Sequence, residues 1–315
     1  MHPTFRFALL ASTLLAPAFA QAADTMPGAD IVTNDVARFY ALYEASDGKP
    51  SVVQIENDYL AKGTPSLVEF AKLRRVTAQS IADRLASDPA IYANARQCMA
   101  ELPAAKARLA TALATLVRLY PQAKLPPVAI VVGRGKPVGM AYPGGLTIGL
   151  EALCAADFMN PNVQDRFVHV IAHEYAHIQQ TMQTDFEAGD PDATVLRMSL
   201  AEGAAELISE VISGNVGNPK LADWTRGREA EVESAFVGEM DSTDLSNWLY
   251  NYRAGSGEPY DLGYWVGYRI AKAYYVKATD RKAALKDIIE MDDPRAFLAK
   301  SGWTPGMRLP DSAND

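Results

Sequence analysis

Three histidines are crowded into nine consecutive positions of this 315-residue chain, in the stretch HVIAHEYAH, residues 169–177. The chain has only one other histidine, His2. Apolar residues at helical spacing predict a largely buried helix over 163–183. His173 and His177 are four residues apart, so their rings lie on one face of that helix, one turn apart. A fold that buries this helix must provide partners for its ionisable groups, because an unpaired buried charge is costly.

The spacing H-E-x-x-H on a helix is typical of zinc peptidases, in which two histidines bind the metal and the glutamate is the general base. Here those residues are His173, His177 and Glu174. The alternative interpretation, two core histidines beside a solvated glutamate, does not explain why an apolar helix accepts three ionisable groups. The sequence therefore predicts one Zn(2+) per chain at His173 and His177.

A catalytic zinc needs a third protein ligand and one open position. One known arrangement supplies a histidine six residues after the second, but Gln183 stands there and excludes it. Three glutamates recur every four residues in SLAEGAAELISE, 199–210: Glu202, Glu206 and Glu210. Such a stripe is usually a solvated face. Small residues flank Glu202, however, and Gly203 would let that backbone approach the metal helix closely.

His169 lies one turn before His173 and is a further candidate. On one straight helix it would be about 12 Å from His177, too far for both to bind one ion. We therefore expect His169 to support a ligand or to pack in the core.

The N-terminus, MHPTFRFALLASTLLAPAFAQA, predicts a secretory signal peptide over 1–22. Its apolar run is too short to span a bilayer, so no stable membrane insertion is expected. The expected location is the periplasm or the medium of a bacterium. Removing Arg6 with this segment changes the net charge from −8 to −9. An acidic chain without a basic patch is a poor binder of nucleic acid.

The remaining pattern predicts a predominantly helical α+β fold. Helical spacing extends over 35–120, the β-rich runs 128–132 and 146–150 predict a small sheet, and further helices are expected over 193–213, 221–239 and 261–278. We therefore expect an N-terminal helical region, 23–125, packed as one unit on a second region, 126–315.

Two cysteines, Cys98 and Cys154, are candidates for a disulfide between these regions, because an exported protein meets an oxidising environment. Two separate buried thiols are the alternative.

HEYAH followed by AEGAAE resembles the gluzincin clan of zinc metallopeptidases, whose motif is HExxH and then a glutamate in an E-G-x-A helix. The resemblance implies a zincin-like fold in the second region. It also implies His173, His177 and Glu202 as ligands, and Glu174 as the base that acts on a metal-activated water. Glu206 would orient a ligand histidine.

Two further segments extend the resemblance. GYWVGY is similar to the Y-x-x-G helix of aminopeptidase-like gluzincins, which implies that Tyr264 stabilises the tetrahedral intermediate; Tyr260 and Tyr268 are neighbouring alternatives. GGLTIGLEAL is similar to the clan's edge strand, along which an extended substrate pairs. Over most of its length after residue 22 the chain resembles a bacterial family of predicted Zn-dependent proteases of unknown function.

The expected function is hydrolysis of a peptide or protein substrate. The exopeptidase motif G-x-M-E-N is missing, which favours internal cleavage. One alternative is an amidase of the same chemistry acting on cell-wall or modified peptides. Another is a partner-binding protein with a non-catalytic metal site, although such a site has no use for Glu174.

Overall fold

The computed structural model describes residues 29–156, 158–182, 186, 190–252 and 259–315. The expected signal peptide, with His2, and also Gln183 lie outside these residues. Among the described helices, none is both long enough and apolar enough to cross a membrane.

The elements follow one another as helices, a small sheet and helices again. The first helices are α1 (Asn34–Ala45), α2 (Val52–Gln54) with a π-helical turn (Ile55–Leu60), α3 (Pro65–Arg74), α4 (Ala78–Ser87), α5 (Pro89–Cys98), a 3-10 turn (Met99–Glu101) and α6 (Leu102–Leu119). The strands are β1 (Ile31–Val32), β2 (Val128–Val131), β3 (Gly139–Tyr142) and β4 (Gly145–Gly149). The later helices are α7 (Leu150–Ala155), α8 (Val163–Gln179), α9 (Val195–Ser213), α10 (Pro219–Thr225), α11 (Glu229–Glu239), α12 (Leu262–Lys277), α13 (Arg281–Ile289) and α14 (Pro294–Ser301). The predominantly helical α+β class is confirmed.

The sheet has the strand order β1-β2-β4-β3, in which β1, β2 and β4 are parallel and β3 is antiparallel to β4. The expectation that GGLTIGLEAL forms the edge strand is wrong. Residues 145–149 form β4, which is buried between β2 and β3. A tight connection through Pro143 and Gly144 turns the chain back, so that the preceding strand β3 occupies the edge.

Three helices form the centre of the second region. Asn162 caps α8 by accepting a hydrogen bond from the Asp165 amide, and Thr194 caps α9 in the same way from Arg197. Helix α9 packs against both α8 and α12. A Cβ added to Gly203 would lie 2.0 Å from the Tyr268 amide nitrogen. Gly203 therefore allows close approach to α12, and the expectation that it faces the metal helix α8 is wrong.

The N-terminal helices pack on the sheet through buried tyrosines. The Tyr59 hydroxyl donates to the Val132 carbonyl at 2.7 Å, and the Tyr92 hydroxyl donates to the Gly133 carbonyl at 3.0 Å. Cys98 at the end of α5 is joined to Cys154 in α7 by a disulfide.

Some element boundaries differ from the sequence expectation. A single helix was expected over 221–239, but Gly227 has a φ of 79° and separates α10 from α11. Strands β1 and β3 lie outside the two β-rich runs that predicted the sheet. β1 has only two residues, and β3 is as long as β2; backbone pairing with β2 and β4, rather than residue pattern, defines both.

Candidate metal centre

Helices α8 and α9 bring three side-chain atoms together at one point. The Nε2 atoms of His173 and His177 are 3.0 Å apart. Oε2 of Glu202 lies 3.3 Å from the first and 3.2 Å from the second. The side chains are 11%, 20% and 13% exposed, so the site opens to solvent on one side only. The open side faces a cleft of about 1600 Å³.

The hydrogen bonds of His177 define which of its nitrogens carries a proton. Its Nδ1 lies 2.8 Å from Oε1 of Gln180. The side-chain nitrogen of Gln180, Nε2, donates to the Ala201 carbonyl at 2.6 Å. Because an amide oxygen only accepts, Nδ1 of His177 must be the donor. In the neutral ring the Nε2 lone pair is then free and points toward Glu202 and His173.

His173 has a similar partner on its far side. Its Nδ1 lies 3.1 Å from Oε1 of Glu206, one turn after Glu202 on α9. The carboxylate lies off the N–H axis, so the contact is electrostatic rather than an aligned hydrogen bond. Glu206 nevertheless favours a proton on Nδ1, which leaves the His173 Nε2 lone pair facing the centre.

The three convergent atoms require a positive charge between them. Burial alone would raise the pKa of Glu202, but the facing His177 and His173 hold that pKa well below its usual value. Burial alone would lower the pKa of His173, but Glu202 and Glu206 raise it well above its usual value. Protons supply this charge poorly, because two N–H groups would compete for one oxygen. Ligands of a tetrahedral zinc lie about 3.3 Å apart at the ordinary bond lengths, so the donor set and its spacing fit a zinc ion.

A second group lies one turn away on the same two helices. The Nε2 atom of His169 is 3.1 Å from Oε2 of Glu206, and its Nδ1 is 2.9 Å from the Ser209 hydroxyl. Gly217 covers this contact, because an added Cβ would lie 2.0 Å from that Nε2 atom. His169 therefore contacts Glu206 and not the three convergent atoms.

Glu174 lies between the metal-ligand candidates and the edge strand. It is buried, and a Cβ added to Gly139 in β3 would lie 2.3 Å from its Oε1. Burial raises the pKa of Glu174, while His177 and His173 act in the opposite direction. A raised carboxyl pKa suits a group that takes up and releases a proton near neutral pH.

Two tyrosines border the open side. The ring of Tyr264 stacks on that of His173, with centroids 6.4 Å apart and planes 18° apart. The Tyr250 hydroxyl donates to Oε1 of Glu202 at 3.0 Å. Of the two alternatives to Tyr264, Tyr268 donates to Glu210 at 2.7 Å and Tyr260 packs on Phe158.

The family described as "Predicted Zn-dependent protease (DUF2268)" matches residues 117–292, which include α8, α9 and α12. That is more than half of the chain. The chain belongs to this family. No curated protein and no solved structure matches the chain.

Sequence reasoning missed two residues of the site. No motif marks Gln180 as a site residue, although its position directly after α8 lets it orient His177. No spacing in the sequence links Tyr250 to the histidines. Only the tertiary contact with Glu202 distinguishes it.

Proposed function

We propose that this protein is an exported zinc peptidase of gluzincin type that cleaves peptide or protein substrates internally. The observation that carries the proposal is the convergence of His173, His177 and Glu202, with the buried Glu174 beside them at the cleft. A purely structural zinc site is closed by four protein ligands, whereas three ligands facing a cleft leave a position for substrate.

These side chains would hold one zinc ion per chain. When bound, zinc lowers the pKa of a coordinated water to about 7 and polarises the substrate carbonyl. Glu206 and Gln180 would hold the imidazoles of His173 and His177 with their Nε2 lone pairs toward the ion. His169 would hold the second oxygen of Glu206.

Glu174 would transfer the proton of the reaction. Its carboxylate accepts a proton from the attacking water and then delivers it to the leaving nitrogen. Tyr264, beside His173, would donate a hydrogen bond to the developing oxyanion. A substrate extended along the free edge of β3 would pass Glu174, because Gly139 of that strand contacts it.

Glu174→Gln tests this proposal directly. The amide keeps the size of the side chain but cannot take up the proton, so hydrolysis should fall by about 10³-fold while zinc stays bound. Elemental analysis and activity on denatured protein, short peptides and muropeptides are measured together. Glu229→Gln, which lines the same cleft away from the metal-ligand candidates, is the matched control.

The substrate panel also separates the alternatives. Cleavage of muropeptides alone would favour the cell-wall amidase. Undiminished activity of Glu174→Gln in cells would favour the partner-binding protein and contradict the peptidase proposal.

A further inference from the structure

An arginine without a carboxylate partner lies on the cleft wall. Arg74 is the last residue of α3, is exposed, and lines the cleft that holds the metal-ligand candidates. Among residues 29–156, 158–182, 186, 190–252 and 259–315, no carboxylate lies within 4.0 Å of its guanidinium. Its Nε donates to the Met140 sulfur at 3.1 Å, and a thioether is only a weak acceptor. The fork of Nη groups is therefore available to a ligand.

The position of Arg74 is fixed from both sides. Its carbonyl accepts a hydrogen bond from Arg134 Nη2 at 3.1 Å, which anchors the end of α3. Met140 belongs to β3, next to Gly139, which packs on Glu174. The guanidinium thus lies beside the edge strand on the same wall as the general-base candidate. In agreement with this placement, its charge acts against the burial that raises the pKa of Glu174.

Arg74 lies next to Glu174 on a cleft wall that also carries Glu202 and Glu206. Four other basic residues line the cleft, and three of them are already paired with carboxylates: Arg226 with Asp223, Arg269 with Glu233 and Lys272 with Glu210; the fourth is Arg308. An acidic group that approaches Glu174 along β3 would be repelled by that carboxylate unless the neighbouring Arg74 received it. A guanidinium can bind a carboxylate through two parallel hydrogen bonds, which makes it selective for planar anions.

We propose that Arg74 binds a carboxylate of the substrate close to the bond that is cut. This inference rests on the proposed function and specifies its substrate class as peptides with an acidic group near that bond. The carboxylate belongs either to an Asp or Glu side chain or to the C-terminus of the peptide, and both present the same chemistry to the guanidinium.

The test compares variants on paired peptides. The zinc-loaded wild-type protein first digests a proteome-derived peptide library, and mass spectrometry locates the cuts. Peptides are then made in pairs that differ only by Glu against Gln near the cut, or by a free against an amidated C-terminus. We expect kcat/KM to favour one acidic member by about tenfold, mainly through KM, as one charge-assisted hydrogen bond contributes.

Arg74→Ala should abolish that preference, and Arg74→Lys should keep part of it. Arg75→Ala is the matched control, because it removes the same charge from the next residue, which does not line the cleft. It should keep the full preference. The peptide pair whose acidic preference is lost in Arg74→Ala identifies the source of the carboxylate, a side chain or the C-terminus. A wild type without acidic preference, or an Arg74→Ala variant with an unchanged one, would overturn the inference.

Failure of the proposed function is distinguishable from failure of this inference. If the wild type cuts no peptide, the peptidase proposal is contradicted. The role of Arg74 is then tested by measuring how tightly peptides bind. Four peptides with the sequence Ala-Ala-Phe-X-Ala, in which X is Glu or Gln and the C-terminus is free or amidated, would be titrated into zinc-loaded Glu174→Gln protein. Tighter binding of an acidic member that Arg74→Ala removes supports the inference, and equal binding of all four overturns it.

Discussion

The floor and the roof of the metal centre are built in different ways. The floor is the pair of helices α8 and α9, which carries His173, His177 and Glu202 at regular helical spacing. The roof consists of residues 240–252 and 259–264, including Tyr250 and Asp261. Both of these roof residues have a left-handed backbone, with φ values of 57° and 54°, although neither is glycine. Such positions cost about 1–3 kcal/mol each and persist only where surrounding contacts hold them.

Hydrogen bonds hold these two residues of the roof in place. Asn251 and Asp261 exchange two hydrogen bonds, of 3.2 Å and 2.7 Å, and Tyr250 reaches Glu202 although 56% of the residue is exposed. The floor instead packs backbone against backbone on α12, through Gly203. We infer that the floor controls whether metal binds, whereas the roof affects the rate of the reaction and the stability of the open side.

The largest expected effect separates two glutamates of the floor. Glu202→Ala removes the proposed third ligand and should leave no zinc bound at ordinary zinc concentrations. Glu206→Ala removes only the partner of His173 and His169 and should weaken zinc affinity by about 10–100-fold. Zinc titration against a competing chelator measures both variants.

Ser209→Ala is the control for the second group of contacts, because it removes a partner of His169 without touching Glu206. The reverse ranking of the two glutamates would move the third ligand to Glu206. Two zinc ions per wild-type chain would show that His169, His173 and Glu206 form a second metal site.

Substitutions in the roof should change the reaction rate rather than the amount of zinc bound. Tyr264→Phe should lower kcat by about 10²-fold with zinc retained, because it removes the proposed donor to the oxyanion. Tyr250→Phe should change kcat much less, since its hydroxyl already donates to Glu202. Steady-state kinetics with parallel metal analysis checks both variants. A larger loss in Tyr250→Phe would assign the oxyanion contact to Tyr250 instead.

The same contrast explains what the sequence could predict. Helical spacing identified α8 and α9 and selected His173, His177, Glu174 and the glutamate stripe, because neighbours on one helix are close whatever the rest of the chain does. Choosing Glu202 within that stripe needed the family resemblance. In the fold, β2 and β4 could be recognised by their β-branched residues.

The rest depends on contacts between distant segments. Strand β3 has a weak local signal and is defined by its pairing with β4. The partner of Gly203 depends on how α12 crosses α9, and no local pattern encodes that crossing. The Tyr250 hydroxyl contacts Glu202, which lies 48 positions earlier in the chain. Tyr250 itself has a left-handed backbone, which no local sequence motif predicts.

The smallest expected effect concerns Asp261 in the roof. Burial raises the pKa of this carboxyl from 3.8 to about 6. A raised acid pKa means that the native state holds the proton more tightly, so the carboxyl lowers stability progressively as pH rises from about 3.8 through 6. Asp261→Asn keeps an oxygen to accept from the Asn251 amide and removes the charge. The variant should be more stable than wild type by about 1–3 kcal/mol at pH 8, with a difference that shrinks toward zero near pH 4.

Urea unfolding of the zinc-loaded proteins across this range measures the difference. The control is Asp244→Asn, because the pKa of that exposed roof carboxyl is lowered by the Ser246 hydroxyl and amide, so its loss should not stabilise the protein at any pH. If Asp261→Asn were no more stable than wild type at pH 8, the buried carboxylate would not be a source of strain. Left-handed geometry at Tyr250 and Asp261 would then be the only observation that sets the roof apart from the helical floor.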